Sequence, residues 1–202
     1  MKRRSLLKTL AATFATVLSL SPAMTSGAAA TAGGSYQVEI IVFQVVNPSG
    51  DEDLSAPAEG RGFSGVYQSA DPPPKVLKTL TAGQLQMGGL ASRLRNSGNY
   101  RVIAHAGWIQ TATAWNRHSG LPLAMAGVDV PGLAGSVYLE RGQLLHLGFN
   151  LTYDNNNGHT YTLSELRRIK FNEKHYFDHP AFGVIALVNP ASAAAAADAD
   201  AQ

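Results

Sequence analysis

Residues 36–189 predict a single α+β domain, a mixed and mostly antiparallel sheet with one long helix, nearest to a ferredoxin-like variant with an extra hairpin. Three observations carry this. Residues 36–46 (YQVEIIVFQVV) and 182–189 are apolar on both alternating faces, the pattern of strands central in a sheet. Residues 81–96 place Met87, Leu90, Ala91 and Leu94 on one helical stripe. Residues 135–153 alternate about Arg141-Gly142, as a hairpin does.

The chain has 202 residues, and its start reads as an export signal rather than as fold. Lys2, Arg3, Arg4 and Lys8 form a basic region, residues 9–20 an apolar one, and Ala30-Thr31-Ala32 a small-residue cleavage site. Arg3-Arg4 also fits a twin-arginine signal, so the export route stays open. No later apolar run reaches about 18 residues, so the mature chain is expected to have no transmembrane segment. Cleavage after Ala32 leaves 12 Lys+Arg against 14 Asp+Glu, a net charge of −2. That balance gives nucleic-acid binding no support. There is no cysteine, hence no disulfide, thiol chemistry or lipid-modified N-terminal Cys.

In order, residues 36–46 form the first strand. Residues 47–75, rich in Pro, Gly, Ser and acids and containing Pro72-Pro73-Pro74, read as a mobile loop inserted in the 33–190 domain. Thr81 and Gln84 make a capping box for a helix ending before Gly98. Gly88 and Gly89 weaken that helix and are expected to let it lie close to the sheet. Residues 99–110 form a second strand, with Tyr100, Val102, Ala104, Ala106 and Trp108 on one face and His105 and Ile109 on the other. Strand, helix, strand predicts a βαβ unit with parallel strands. Residues 111–134 are a broken connection, in which Trp115 is expected to cap the core edge; stacking on a sugar is the alternative. In the hairpin's return strand Leu145, Leu147, Phe149, Leu151 and Tyr153 face inward. The turn at 154–158 leads to a strand over 159–170 with Tyr161, Leu163 and Ile169 inward. Residues 191–202 are expected to be a disordered tail.

The densest chemistry lies at 173–190 (EKHYFDHPAFGVIALVNP), where Pro180 restricts His179 to extended geometry and predicts a shaped elbow before the last strand. His175, Asp178 and His179 invite a metal, but paired zinc-binding histidines sit i, i+4 on a helix, which this segment does not support. No metal or cofactor is expected; the simpler reading is histidines bonded to the backbone and to aromatics. No cysteine nucleophile, G-x-S-x-G or phosphate loop is present, so the residues read as a binding domain and not an enzyme. A metal-dependent hydrolase is the distant alternative. Arg167 and Arg168 suit a carboxylate or phosphate, but as strand neighbours they face opposite ways.

Four stretches carry a resemblance: YQVEIIVFQ, YRVIAHAGWIQ, RGQLLHLGFNL and RRIKFNEKHYFDHPAFGVIALV. In this order, over residues 36–189, they resemble the CsiV family of Gram-negative periplasmic proteins. The last stretch, with Arg167-Arg168 and then His175-Tyr176-x-Asp178-His179-Pro180-x-x-Gly183, is the most specific. The chain departs from the family at Gln143-Leu144, where Arg-Tyr is usual, and at Lys174, where an apolar residue is usual. The resemblance implies a non-enzymatic periplasmic protein that binds peptidoglycan and supports cell-wall organization and cell shape. It also implies work with an outer-membrane lipoprotein that activates a penicillin-binding protein. The alternative is a periplasmic protein–protein adaptor without direct wall contact. The candidate ligand residues are Arg167, His175, Tyr176, Asp178 and His179, with His105, Trp108 and His146 as a second patch.

Overall fold

A computed structural model describes residues 34–48, 73–155 and 159–191. The expected signal segment, nearly all of the 47–75 loop and the tail beyond residue 191 lie outside the described residues. The elements are β1 (Ser35–Val45), β2 (Val76–Thr79), α1 (Gly88–Asn96), β3 (Tyr100–Thr111), β4 (Thr113–Ala114), β5 (Leu121–Pro122), β6 (Leu133–Arg141), β7 (Leu145–Asp154), β8 (Thr160–Ile169), β9 (Lys174–Asp178) and β10 (Phe182–Pro190).

The strands make two sheets rather than one. The first has the order β2-β3-β1-β10-β9 and is antiparallel throughout. The second runs β6-β7-β8, with the two-residue strands β4 and β5 both on the outer edge of β6. The single ferredoxin-like sheet is therefore corrected to two stacked sheets, with α1 on the outside of the first. The reason is in the faces of β1. Tyr36, Val38, Ile40 and Val42 meet Leu147, Phe149, Leu151 and Leu163 of the second sheet in one core, while Ile41 and Phe43 meet Met87, Ala91 and Leu94 in another. One sheet with one nine-residue helix cannot bury both faces of β1 and the inward face of the hairpin.

The expected βαβ unit is absent; β1 and β3 are antiparallel neighbours. The strand Val76–Thr79, unread in the sequence, explains this. β2 pairs only with the far end of β3, from Val76↔Gln110 to Thr79↔Trp108. The helix then carries the chain onward along the sheet, and β3 returns.

The helix itself is shorter than predicted. The Thr81–Gln84 box is present, with Gln84 Oε1 accepting the Thr81 N–H at 2.9 Å, but it closes a 3-10 turn at Ala82–Gln84. The α-helix starts at Gly88, and the segment that leads into it is anchored on β1. Glu39 accepts the N–H groups of Gln86 and Met87 at 2.7 and 2.8 Å. Gly88 and Gly89 are exposed with open space where a side chain would stand, so they do not bring the helix closer to the sheet.

A bulge in β3 shifts its faces. Val42 pairs with Ala104 and Phe43 with Val102, skipping Ile103. Val102 thus joins the helix side while Ala104, Ala106 and Trp108 join the inter-sheet core, which corrects the single face expected for them. The hairpin and the final strand agree with the sequence: every predicted inward residue of β7 is buried, and β10 lies between β1 and β9. The hairpin turn spans the three residues 142–144, not Arg141-Gly142 alone. The elbow at 175–178 is not a loop but part of the edge strand β9, paired from Leu187↔Lys174 to Gly183↔Asp178.

Candidate functional site

The strand β9 sorts the predicted elbow residues by face. Phe177 enters the core, edge-on to Phe149 at 4.7 Å, and Tyr176 and Asp178 face out on the helix side. The Tyr176 hydroxyl donates to Asp178 Oδ1 at 2.6 Å, and its ring stacks on Phe43 at 6.0 Å. Burial first, then the Asp178 bond and charge, push the Tyr176 phenol well above its usual range. Gly183 lies beneath both rings; a Cβ there would stand 2.9 Å from Phe43 and 3.0 Å from Tyr176.

The remaining elbow residues are bound into the scaffold. His179 is buried; its Nδ1 accepts the Ala181 N–H at 3.1 Å, between the rings of Tyr161 and Phe182. His175 Nε2 lies 3.2 Å from both backbone polar atoms of Lys170, holding the turn between β8 and β9. Arg167 reaches from β8 across to β9, where its guanidinium donates to the Tyr176 carbonyl and lies 4.3 Å from the Phe177 ring centre. Its neighbour Glu165 is 3.4 Å away, and burial raises the Glu165 carboxyl, partly offset by Arg167. Among the described residues no cluster of His, Cys, Asp or Glu forms a metal site.

The second predicted patch separates. Trp108 is fully buried between the sheets, its indole N–H donating to Gln110 at 2.6 Å. His105 faces the helix and bonds Glu39 at 2.8 Å. His146 alone reaches a surface with room for a ligand.

That surface is the outer face of the second sheet. Trp115 is about half exposed at 47%, and its ring centre stands 3.8 Å from that of His146. Together with Gly142, Gln143 and Leu144 of the hairpin turn they line an open cleft of about 340 Å³. The expectation that Trp115 caps the core edge is thereby corrected. The chain leaves the sheet at β4 and rejoins it at β5, and the arch between them crosses the outer face. Gly142 lets the arch lie on the turn, since a Cβ there would stand 3.1 Å from Trp115 Cβ. Burial lowers the His146 pKa, so the imidazole beneath Trp115 is neutral at neutral pH.

A buried carboxylate holds the arch. Glu140, with no exposed surface, accepts the N–H groups of Asn116 at 3.0 Å and His118 at 2.6 Å. The His118 ring also lies 3.1 Å from it. Asn116 and His118 both have positive φ, 67° and 51°, a strained backbone that those two bonds retain. Sequence reasoning passed over Glu140 and Glu39. The signal was available: each is an acid inside a strand of apolar neighbours, where a buried charge demands several donors.

The arrangement offers an aromatic face beside amide and imidazole groups, without a nucleophile poised on a base. Such a surface suits a sugar, whose apolar ring face stacks on indole while its hydroxyls take hydrogen bonds. Among the described residues no helix is long and apolar enough to cross a membrane. No curated protein and no solved structure matches the chain. A family model described as "Peptidoglycan-binding protein, CsiV" matches residues 67–191, which take in β2 through β10, the arch and the cleft. The chain belongs to the CsiV family of peptidoglycan-binding proteins.

Proposed function

We propose that this chain is a non-enzymatic periplasmic protein that binds peptidoglycan through the Trp115–His146 cleft and so supports wall assembly and cell shape. The observation that carries the reading is the half-exposed indole tilted against His146 beside an open cleft, its arch held by Glu140. A rigid aromatic face needs little ordering when a glycan strand lies on it. The outer-membrane lipoprotein that activates a penicillin-binding protein belongs to the same proposal, as the partner to which wall binding would bring this domain.

Co-sedimentation of the processed protein with purified sacculi tests it. The wild type pellets; Trp115→Ala stays in the supernatant while remaining folded; Asp178→Ala, on the opposite side of the domain, pellets like the wild type. A wild type that stays in the supernatant overturns wall binding.

The adaptor reading has its own observation. Tyr100 and Tyr176, both exposed, flank Phe43 on the helix side of the first sheet, an aromatic surface away from the cleft. Loss of partner capture on Tyr176→Ala with sacculus binding intact would place a protein contact there.

A further inference from the structure

Beside His146, on the neighbouring strand and just outside the lining of the cleft, stands an exposed arginine. His146 is flanked in register by Glu140 on β6 and Arg168 on β8, so the three form one row across the outer face. Directly paired residues on neighbouring strands have Cα atoms about 5 Å apart. Arg168 is exposed, and among the described residues it has no ion-pair partner, while Arg167 next to it is turned inward onto Phe177. The acid of the row, Glu140, is withdrawn from solvent beneath the arch. The outer face here therefore presents the Trp115 indole, the His146 imidazole and the exposed Arg168 guanidinium to a ligand, while the carboxylate of the row is withdrawn.

We infer that the cleft recognises an acidic sugar unit: the pyranose ring lies on Trp115 and a carboxylate attached to it is taken by Arg168. This rests on the peptidoglycan-binding reading and narrows it. The glycan strand alternates a neutral N-acetylhexosamine with one that bears a lactyl ether carrying the stem peptide, whose free ends are carboxylates. A guanidinium forks onto a carboxylate with two parallel hydrogen bonds, which a neutral hexosamine cannot accept in the same way. Arg168 thus discriminates the substituted unit from its neutral neighbour, and Trp115 contributes equally to both.

The test compares two ligands by quenching of the exposed tryptophan; Trp108, the other one in the chain, is buried. The ligands are a neutral N-acetylglucosamine oligosaccharide and a muramyl disaccharide with its stem peptide. Arg168→Gln is expected to weaken the acidic ligand about tenfold and leave the neutral one within about twofold. Arg168→Lys retains part of the preference, and Trp115→Ala, which removes the fluorescent reporter and is therefore read by titration calorimetry, weakens both. Sacculi before and after amidation of their carboxylates give a second reading: the wild type prefers the untreated form and Arg168→Gln does not. Equal loss of both ligands in Arg168→Gln, or a variant that discriminates as well as the wild type, overturns the inference and leaves wall binding standing. A wild type that ignores sacculi in either form overturns both.

Discussion

Glu39 Oε1 stands 2.8 Å from the backbone nitrogen of Met87, 48 residues further along the chain. An acid on the central strand of the first sheet thus anchors the lead-in to the helix that covers it, and His105 bonds the same oxygen at 2.8 Å. The contact ties β1, β3 and α1 into one unit, and it assigns His105 to the scaffold.

Glu39→Ala strands these donors inside the protein. Each buried unsatisfied donor costs about 1–3 kcal/mol. A destabilisation of about 2–4 kcal/mol is expected in chemical denaturation, with wall binding retained by the folded fraction. A loss below about 1 kcal/mol would mean that water replaces the carboxylate.

Glu140→Gln should act on the site more than on the fold. It keeps one acceptor and the volume but loses the charge that holds two N–H groups and the His118 ring. The arch then relaxes from its positive-φ conformations, and acrylamide reaches Trp115 more readily. Sacculus binding is expected to fall several-fold with a melting temperature close to the wild type; unchanged quenching and binding would show that the arch is held by other contacts.

The glycines divide into two kinds. Gly89→Ala, in the first turn of α1 with open space around it, should stabilise the protein by about 0.5–1 kcal/mol. Gly183→Ala should cost about 1–3 kcal/mol, because its methyl meets Phe43, Tyr176 and the Phe177 carbonyl. Reversal of the two signs in denaturant titrations would contradict the packing of β10 against β9.

His146 makes stability depend on pH in a stated direction. Its pKa in the folded protein lies below the ordinary 6.5 because burial opposes the charge. Between those two values the unfolded chain binds more protons than the folded one, so stability rises with pH up to about 6.5 and is flat above it. Thermal melts of wild type and His146→Gln should therefore differ in slope below pH 6.5 and run parallel above. Parallel curves throughout would place His146 in contact with bulk water.

The elbow should behave as scaffold. Arg167→Ala loses a charged hydrogen bond and a ring contact, about 2 kcal/mol together, and His179→Ala opens a buried pocket beside Tyr161 and Phe182. Both are expected to lower the melting temperature while the folded protein still pellets with sacculi. Asp178→Ala, at the surface, should change neither. Loss of binding in Asp178→Ala at unchanged stability would return the ligand site to β9.

Much of this fold was legible in the residues. The strict alternation of β7 named its buried face, the two-sided apolarity of β1 and β10 named them as interior strands, and Met87, Leu90, Ala91 and Leu94 named the buried stripe of the helix. The opposed faces of Arg167 and Arg168 followed from strand geometry alone. The site was less legible. Trp115 sits in a segment without periodicity, and nothing local distinguishes an indole over a cleft from one against a core. The elbow drew attention because its residues are chemically rich, yet His175 and His179 spend that chemistry on backbone atoms and rings.

By itself the sequence determined which side chains each strand and the helix must bury, because backbone geometry converts spacing directly into faces. Only the tertiary structure decided what those faces are buried against. Hydrophobic burial is not directional, so a two-sided strand is satisfied equally by helices or by a second sheet. Two sheets were chosen because one short helix covers only one face of β1, leaving the other to the inward face of β7 and β8. The row of Glu140, His146 and Arg168 exists for the same reason: three residues from three strands become neighbours only through pairing, a relation that no local spacing records.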